Sequence, residues 1–189
     1  RARVEQGLAP NTYPVRWAVP EPARLVSLLI ATRGGLYVLE KCVESILGKT
    51  TYPNYEIVIL DNQSREAETL AGFDRIRRDP RVRATPYDHP SNYPPTNNFG
   101  VGQAGGEIVG LINNDIEVIS PDWLTEMTSL ACRPEIGCVG AKLYYDNDTL
   151  QHGGVIVGLG GVAGHSHKHF ERDAPGYFFR LKIVQNFSA

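Results

Sequence analysis

Long apolar runs, an excess of charge of either sign and a cysteine framework are all missing from this 189-residue chain. No apolar stretch approaches the about 20 residues that cross a membrane. The N-terminus, where Glu5 and Pro10 follow Arg1, lacks the apolar segment of a secretory signal. The chain as it stands is expected to be soluble. Cys42, Cys132 and Cys138 are odd in number and widely spaced, with no CxxC pair. They indicate neither a disulfide scaffold nor a thiolate zinc site, and a reducing cytosol fits them. A formal net charge of −2 leaves no global field to gather nucleic acid or anionic lipid. The densest basic stretch, Arg75, Arg77, Arg78, Arg81 and Arg83, alternates with Asp74, Asp79 and apolar residues. It reads as a solvated helix end rather than a nucleic-acid patch. An initiating methionine is missing, as is a polar tail after Asn186-Phe187-Ser188-Ala189. The chain is therefore expected to be a piece of a longer protein.

What is present suffices for one core, with 42% hydrophobic and 21% charged residues. Residues 1–22, carrying Pro10, Pro14, Pro20 and Pro22, read as an extended arm, and the domain proper runs over 23–189. Leu25-Val26-Ser27-Leu28-Leu29-Ile30 is a near-continuous apolar run of strand length, as expected of a strand covered on both faces. Leu36, Leu39, Val43, Ile46 and Leu47 then recur at helical spacing. A second strand, Tyr55 to Leu60, ends abruptly at Asp61-Asn62-Gln63-Ser64, where Ser64 is expected to cap a helix stopped by Pro80. Strands at Val82–Thr85 and Glu107–Ile112 follow, separated by a Pro-rich loop and a small-residue helix around Asn98 to Ala104. Ser120-Pro121-Asp122 has the form of another helix start. Cys138–Tyr144 and Leu150–Val157 suggest two strands joined by a turn at Asp146-Asn147-Asp148. Alternating strands and helices imply a Rossmann-like, doubly wound, mostly parallel α/β sheet flanked by helices. Ligands of such sheets bind beyond the carboxyl ends of the strands, the rim on which residues 61–64 and 113–117 gather.

Continued extension past the last of these strands would put Asn113, Asp115 and Glu117 on one face and Asn114 on the other. One amide and two carboxylates are hard oxygen ligands suited to Mg²⁺ or Mn²⁺, with water and substrate phosphate filling the remaining positions. The competing reading is turn chemistry before a helix. Thr32-Arg33-Gly34-Gly35, at the first turn, is neither GxGxxG nor a P-loop, so a nucleotide bound there must rely on a metal for its phosphates.

Val26 through Arg33, Glu56 through Ser64, and Gly106-Glu107-Ile108 through Asn113-Asn114-Asp115 resemble, in order, the successive motifs of family 2 glycosyltransferases of GT-A fold. The resemblance spans roughly residues 24–189. From Ser120-Pro121-Asp122-Trp123 through His152-Gly153-Gly154-Val155 the chain is similar to a bacterial subgroup linked to surface-polysaccharide or rhamnan assembly. The resemblance implies that Ala31 and Arg33 line a base and ribose pocket, that Asp61, Asn62, Asn113 and Asn114 contribute to nucleotide binding, and that Asp115 holds the metal. It implies a sugar transfer, with inversion, from a nucleoside-diphosphate sugar to a glycan or lipid-linked acceptor. The general base would come from an acceptor-binding portion beyond Ala189, and the location would be cytoplasmic or peripheral at the inner membrane face. Asn62 and Asn113 stand where the family's pattern is often acidic. An amide at 62 can accept from N3–H of uracil or thymine and donate to O4, which favours UDP or dTDP donors.

Two other functional classes remain open at this stage. A sugar nucleotidyltransferase resembles a glycine-rich basic loop after the first strand, which is missing here, and a non-catalytic nucleotide-sugar or glycan-binding module needs no base. Glu171 and Asp173 are late carboxylates that read as loop decoration near Pro175-Gly176. His165, His167 and His169 would aim at one ion if extended, or else lie in a solvated loop.

Overall fold

The computed structural model describes residues 2–186; Arg1 and residues 187–189, part of the ending that reads as a cut, lie outside the described residues. The chain divides into two compact units, residues 19–128 and residues 1–18 with 129–189. In the second, β1 (Ala2–Val4) and β2 (Val15–Trp17) pair antiparallel, so the segment read as an extended arm contains a hairpin.

The unit of residues 19–128 is the α/β layer. Its elements are β3 (Val26–Thr32), α1 (Leu36–Lys49), β4 (Tyr55–Asp61), α2 (Ala67–Ile76), β5 (Val82–Pro86), α3 (Tyr93–Gln103) and β6 (Ile108–Asn113). The four strands form one parallel sheet in the order β5-β4-β3-β6. The order reverses between β3 and β6, which creates the switch-point crevice of a doubly wound sheet. Leu28 and Ile30 of β3 pack with Leu39, Val43 and Ile46 of α1 and Phe73 of α2, while Leu29 packs with Val58, Leu60 and Phe99 of α3 on the other face. Period-2 alternation thus feeds two layers, which is why β3 is apolar throughout. Gly100 lets α3 lie close, since a Cβ there would sit 2.5 Å from Leu60 Cδ1.

Two local expectations change. Helix α2 starts at Ala67 with no side-chain cap, and the Ser64 hydroxyl instead accepts from the Gly34 N–H at 2.8 Å. Gly34 and Gly35, with φ of 64° and 65°, turn the chain after β3 so that this N–H points at Ser64. Helix α3 begins five residues before the expected start, because Asn92 and the Pro94-Pro95 pair form its first turn rather than a loop.

At the opposite end of the sheet, Glu56 ties three strands. Its Oε1 accepts from the Ser27 hydroxyl (2.6 Å) and the Gly105 N–H (2.7 Å), and its Oε2 accepts from Arg83 Nε (3.1 Å). Arg75, Arg77 and Arg81 are likewise paired, with Glu40, Asp74 and Asp79. These pairings account for four of the five arginines in the basic stretch.

In the other unit, α4 (Trp123–Ala131), whose first residues belong to the α/β layer, gives way to short strands. These are β7 (Leu143–Tyr144), β8 (Leu150–His152), β9 (Val155–Val157) and β10 (Ala163–His165). Strand β7 pairs with β8, and β9 with β10. The two long strands expected at 138–157 are broken up: β8 and β9 are separate, with buried Gly153 and Gly154 between them. No helix among the described residues is long and apolar enough to cross a membrane.

Burial alone would raise the Glu56 carboxyl, but the hydrogen bonds from Ser27, Arg83 and Gly105 outweigh it and hold the carboxyl below its ordinary value of 4.5. A lowered carboxyl stabilises the fold above that value and loses its effect as pH falls through the folded-state value. Glu56→Gln should therefore unfold more readily than the parent by about 1–2 kcal/mol at pH 7. In urea titrations the difference should shrink steadily below pH 4.5, the ordinary value of this group.

Candidate functional site

The parallel register sets the site. Thr32 of β3 stands opposite Asp61 of β4, and Ala31 opposite Asn113 of β6, so three strands end at one level. Beyond them opens a cleft of about 220 Å³ lined by Ala31, Thr32, Arg33, Asn62, Ser91, Asn92, Tyr93, Thr96 and Asn114. Four of the residues singled out from sequence, Ala31, Arg33, Asn62 and Asn114, therefore meet there. Asp61 faces a neighbouring hollow with Leu70, Phe73 and Pro86, and its Oδ1 accepts from the Ser64 N–H at 3.1 Å. Asn113 and Asp115 are exposed at the strand end and do not line the cleft.

Hydrogen bonds knit the strand ends. Thr32, 5% exposed, donates its hydroxyl to Gly34 O (3.1 Å) and accepts from Asn114 Nδ2 (3.1 Å). Asn62, 4% exposed, donates both Nδ2 hydrogens to backbone carbonyls, Tyr87 O at 3.0 Å and His89 O at 2.7 Å. This pins the loop leading to α3, which Tyr87 anchors further by packing on Phe99. Asn62 Oδ1 is buried and has no hydrogen-bond partner among the described residues. The amide is therefore an acceptor only, and the expected donation to a base O4 is corrected: its donors are spent on the loop.

Strand β6 does not continue past Asn113; the chain turns at Asn114 and Asp115. The expected extension is thus replaced by a turn. Alternation of exposure nevertheless persists, with Asn113, Asp115 and Glu117 exposed and Ile112, Asn114 and Ile116 partly covered. The apolar pair Ile112 and Ile116 packs on the core, and Asn113 and Asp115 between them are exposed. The Asp115 carboxylate forms no hydrogen bond or ion pair among the described residues. Cys42, fully buried on α1, donates its thiol to Asn113 O (3.6 Å). Burial pushes this thiol up to about 11 and keeps it protonated; the Ile116 N–H works against the rise, and the Asp115 and Glu117 carboxylates add to it.

Among the described residues no group of three His, Cys, Asp or Glu side chains converges on one point. A metal caged by protein ligands of these types alone is thus not built among them. The same observation disposes of a three-imidazole site. His165 Nδ1 lies 2.9 Å from His152 Nδ1, His167 pairs with Ser166 and the Tyr177 N–H, and His169 stacks on Tyr145. His167 and His169 have φ of 54° and 65°, which breaks the alternation that convergence requires. Of the late carboxylates, Asp173 lies 3.8 Å from Lys182, and Glu171 bridges Thr149 through the backbone.

The sequence reading missed Thr32, Ser91, Asn92, Tyr93 and Thr96. The signal for the last four was the helix start itself, Asn92 before Pro94-Pro95. Those prolines bring no N–H, so this N-terminus lacks two of the donors with which a helix grips phosphate.

A parallel α/β sheet with a switch-point cleft and polar strand ends is the class of architecture these residues build. Residues 27–171 match the family described as Glycosyl transferase family 2, and the chain belongs to that family, with the GT-A fold. It is 52% identical over 184 residues to "Uncharacterized protein y4gI" of Sinorhizobium fredii, covering 97% of this chain and 20% of that protein. It is 42% identical over 157 residues to "O-antigen biosynthesis protein RfbC" of Myxococcus xanthus, covering 83% of this chain and 12% of that protein. The chain thus spans a fifth or less of these relatives. Among solved structures it resembles a mannosyltransferase from Pyrobaculum calidifontis, solved with GDP-Man and Mn²⁺. The TM-score is 0.58 at 21% identity, over 70% of this chain and 40% of that one.

If the Asn62 amide holds the loop, Asn62→Asp, which sets a carboxylate against two carbonyl oxygens, should lower stability by about 1–3 kcal/mol. Thermal unfolding measures this, and unchanged stability would show that the loop does not depend on the amide.

Proposed function

We propose that this chain is the donor-binding part of a metal-assisted glycosyltransferase that moves a sugar, with inversion, from a nucleoside-diphosphate sugar to a glycan or lipid-linked acceptor in cell-surface polysaccharide synthesis. The observation that carries the reading is the cleft at the β3/β6 switch point, lined by Asn62, whose buried Oδ1 has no partner among the described residues, with the exposed Asp115 on the adjoining rim. Family membership supports transfer of a sugar, and the O-antigen relative supports the polysaccharide setting.

In this reading the base enters the cleft against Asn62. An acceptor without a companion donor suits a base that presents one ring N–H, as uracil and thymine do at N3. Guanine presents N1–H beside an amino group, and Asn62 has no second free acceptor for it. UDP or dTDP donors are therefore favoured, now on the acceptor alone. Arg33, exposed and without an ion pair among the described residues, can donate to ribose or phosphate oxygens at the cleft mouth. Asp115, with Asn113 beside it, would hold Mg²⁺ or Mn²⁺, and Glu117 stands near enough in sequence to orient a bound water. Once bound, the cation neutralises the charge that builds on the departing diphosphate. With two of its donors replaced by proline, the α3 N-terminus adds little to that neutralisation, which falls to the cation and Arg33. The base that deprotonates the acceptor hydroxyl is assigned to the acceptor-binding part of the longer protein.

Two measurements test the reading. Asp115→Ala should abolish Mn²⁺-dependent nucleotide binding by calorimetry, and unchanged binding would remove the metal role. Titration with UDP, dTDP and GDP should rank the two pyrimidine nucleotides tighter; a preference for GDP would overturn the base assignment while leaving sugar transfer intact.

A further inference from the structure

The turn carrying Asp115 is fastened to helix α1 by a row of side chains at helical spacing. Cys42, Ser45 and Lys49 stand at i, i+3 and i+7, on one face of α1. Each engages backbone of the segment that follows β6. Cys42 donates its thiol to Asn113 O at 3.6 Å, at the residue where the turn begins. Ser45 Oγ accepts from the Val118 N–H at 3.1 Å while donating to Cys42 O at 2.9 Å, which locks its rotamer to the helix. Lys49 Nζ donates to Val118 O at 2.8 Å. Just beyond, the Thr51 N–H and hydroxyl both donate to Pro121 O at 2.9 Å, and Trp123 Nε1 donates to Thr50 Oγ1 at 3.0 Å.

These contacts replace the pairing that the chain loses when it leaves the sheet. After Asn113 there is no neighbouring strand to fix the backbone, yet this is where an ion-holding carboxylate needs a defined position. Apolar packing of Ile116 and Val118 sets depth but not register, because apolar contact is non-directional. Hydrogen bonds to particular backbone atoms set register. A helix face that only packed on the core would show apolar residues at these positions, as its Leu39, Val43 and Ile46 do.

We propose that Cys42, Ser45 and Lys49 are positioning residues which hold the 113–118 backbone so that Asp115 meets the donor-bound cation. None of the three is assigned contact with the cation or the sugar nucleotide. The inference rests on the reading of Asp115 as the metal ligand.

The test uses the full-length protein with UDP and Mn²⁺ as probes, reading Mn²⁺ affinity by electron paramagnetic resonance and UDP affinity in EDTA by calorimetry. Ser45→Ala and Cys42→Ala should each weaken Mn²⁺ by about tenfold or more, the usual consequence of losing a group that orients a ligand. UDP affinity in EDTA should stay at the parental value, and Ser45→Thr, which keeps the hydroxyl, should restore the metal affinity. Lys49→Met, at an exposed position, covers the case in which the buried variants do not fold, and should shift Mn²⁺ affinity in the same direction. Parental Mn²⁺ affinity in folded variants, or an equal loss of metal-free UDP binding, overturns the positioning role. Asp115→Ala run in parallel separates the two claims. If it loses Mn²⁺ while the α1 variants do not, only the positioning role fails; if it keeps Mn²⁺, both fail.

Discussion

Everything at the candidate site depends on β3 being hydrogen-bonded along both edges. Its parallel registers with β4 and β6 bring Thr32, Asp61 and Asn113 to one level, and its reversal of strand order opens the crevice beside them. A slip of one residue in either register would turn the inward and outward sets of that strand over. Both faces of β3 are buried, so such a slip moves Leu28 and Ile30 into the layer of Leu29 and breaks the packing of α1 and α3 together. The apolar alternation that stabilises the sheet is therefore also what holds the site in register.

The polar chemistry is laid over that frame as a chain of links in which Asp61 is the one acidic member. Asn114, Thr32, Gly34, Ser64 and Asp61 connect the ends of β6, β3 and β4 in sequence. On this rim the Asp115 and Glu117 carboxylates stand exposed, with no hydrogen bond or ion pair among the described residues. An acid at the position of Asn62 would confront the carbonyls of Tyr87 and His89, whereas the amide ties both and leaves an acceptor over.

The α/β class, the order of strands and helices and the rim on which polar residues collect were legible in the sequence, because each follows from the period of apolar residues within a short window. So was the grouping of Ala31, Arg33, Asn62 and Asn114, which comes with the strand ends. Not legible were the partners of those residues. Ser64 has the chemistry of a helix cap, and only the left-handed Gly34-Gly35 turn, brought alongside by the β3/β4 pairing, gives its hydroxyl another donor. The loop at 91–96 looked like proline-rich linker, and its role as a cleft wall depends on Asn62, nearly thirty residues away. The histidines at 165, 167 and 169 alternate in sequence, but positive φ at two of them disperses the rings.

For Asp115, the sequence determined that a carboxylate follows an apolar strand at the carboxyl end of a parallel sheet, since apolar periodicity and the polar break after it are local properties. Tertiary structure decided how that carboxylate is held. The strand stops at Asn113, and the backbone beyond it is registered by Cys42, Ser45 and Lys49 of a helix about seventy residues earlier. Hydrogen bonds between segments so distant in sequence have no local signature, because their donors and acceptors are brought together only by the packing of α1 on the sheet.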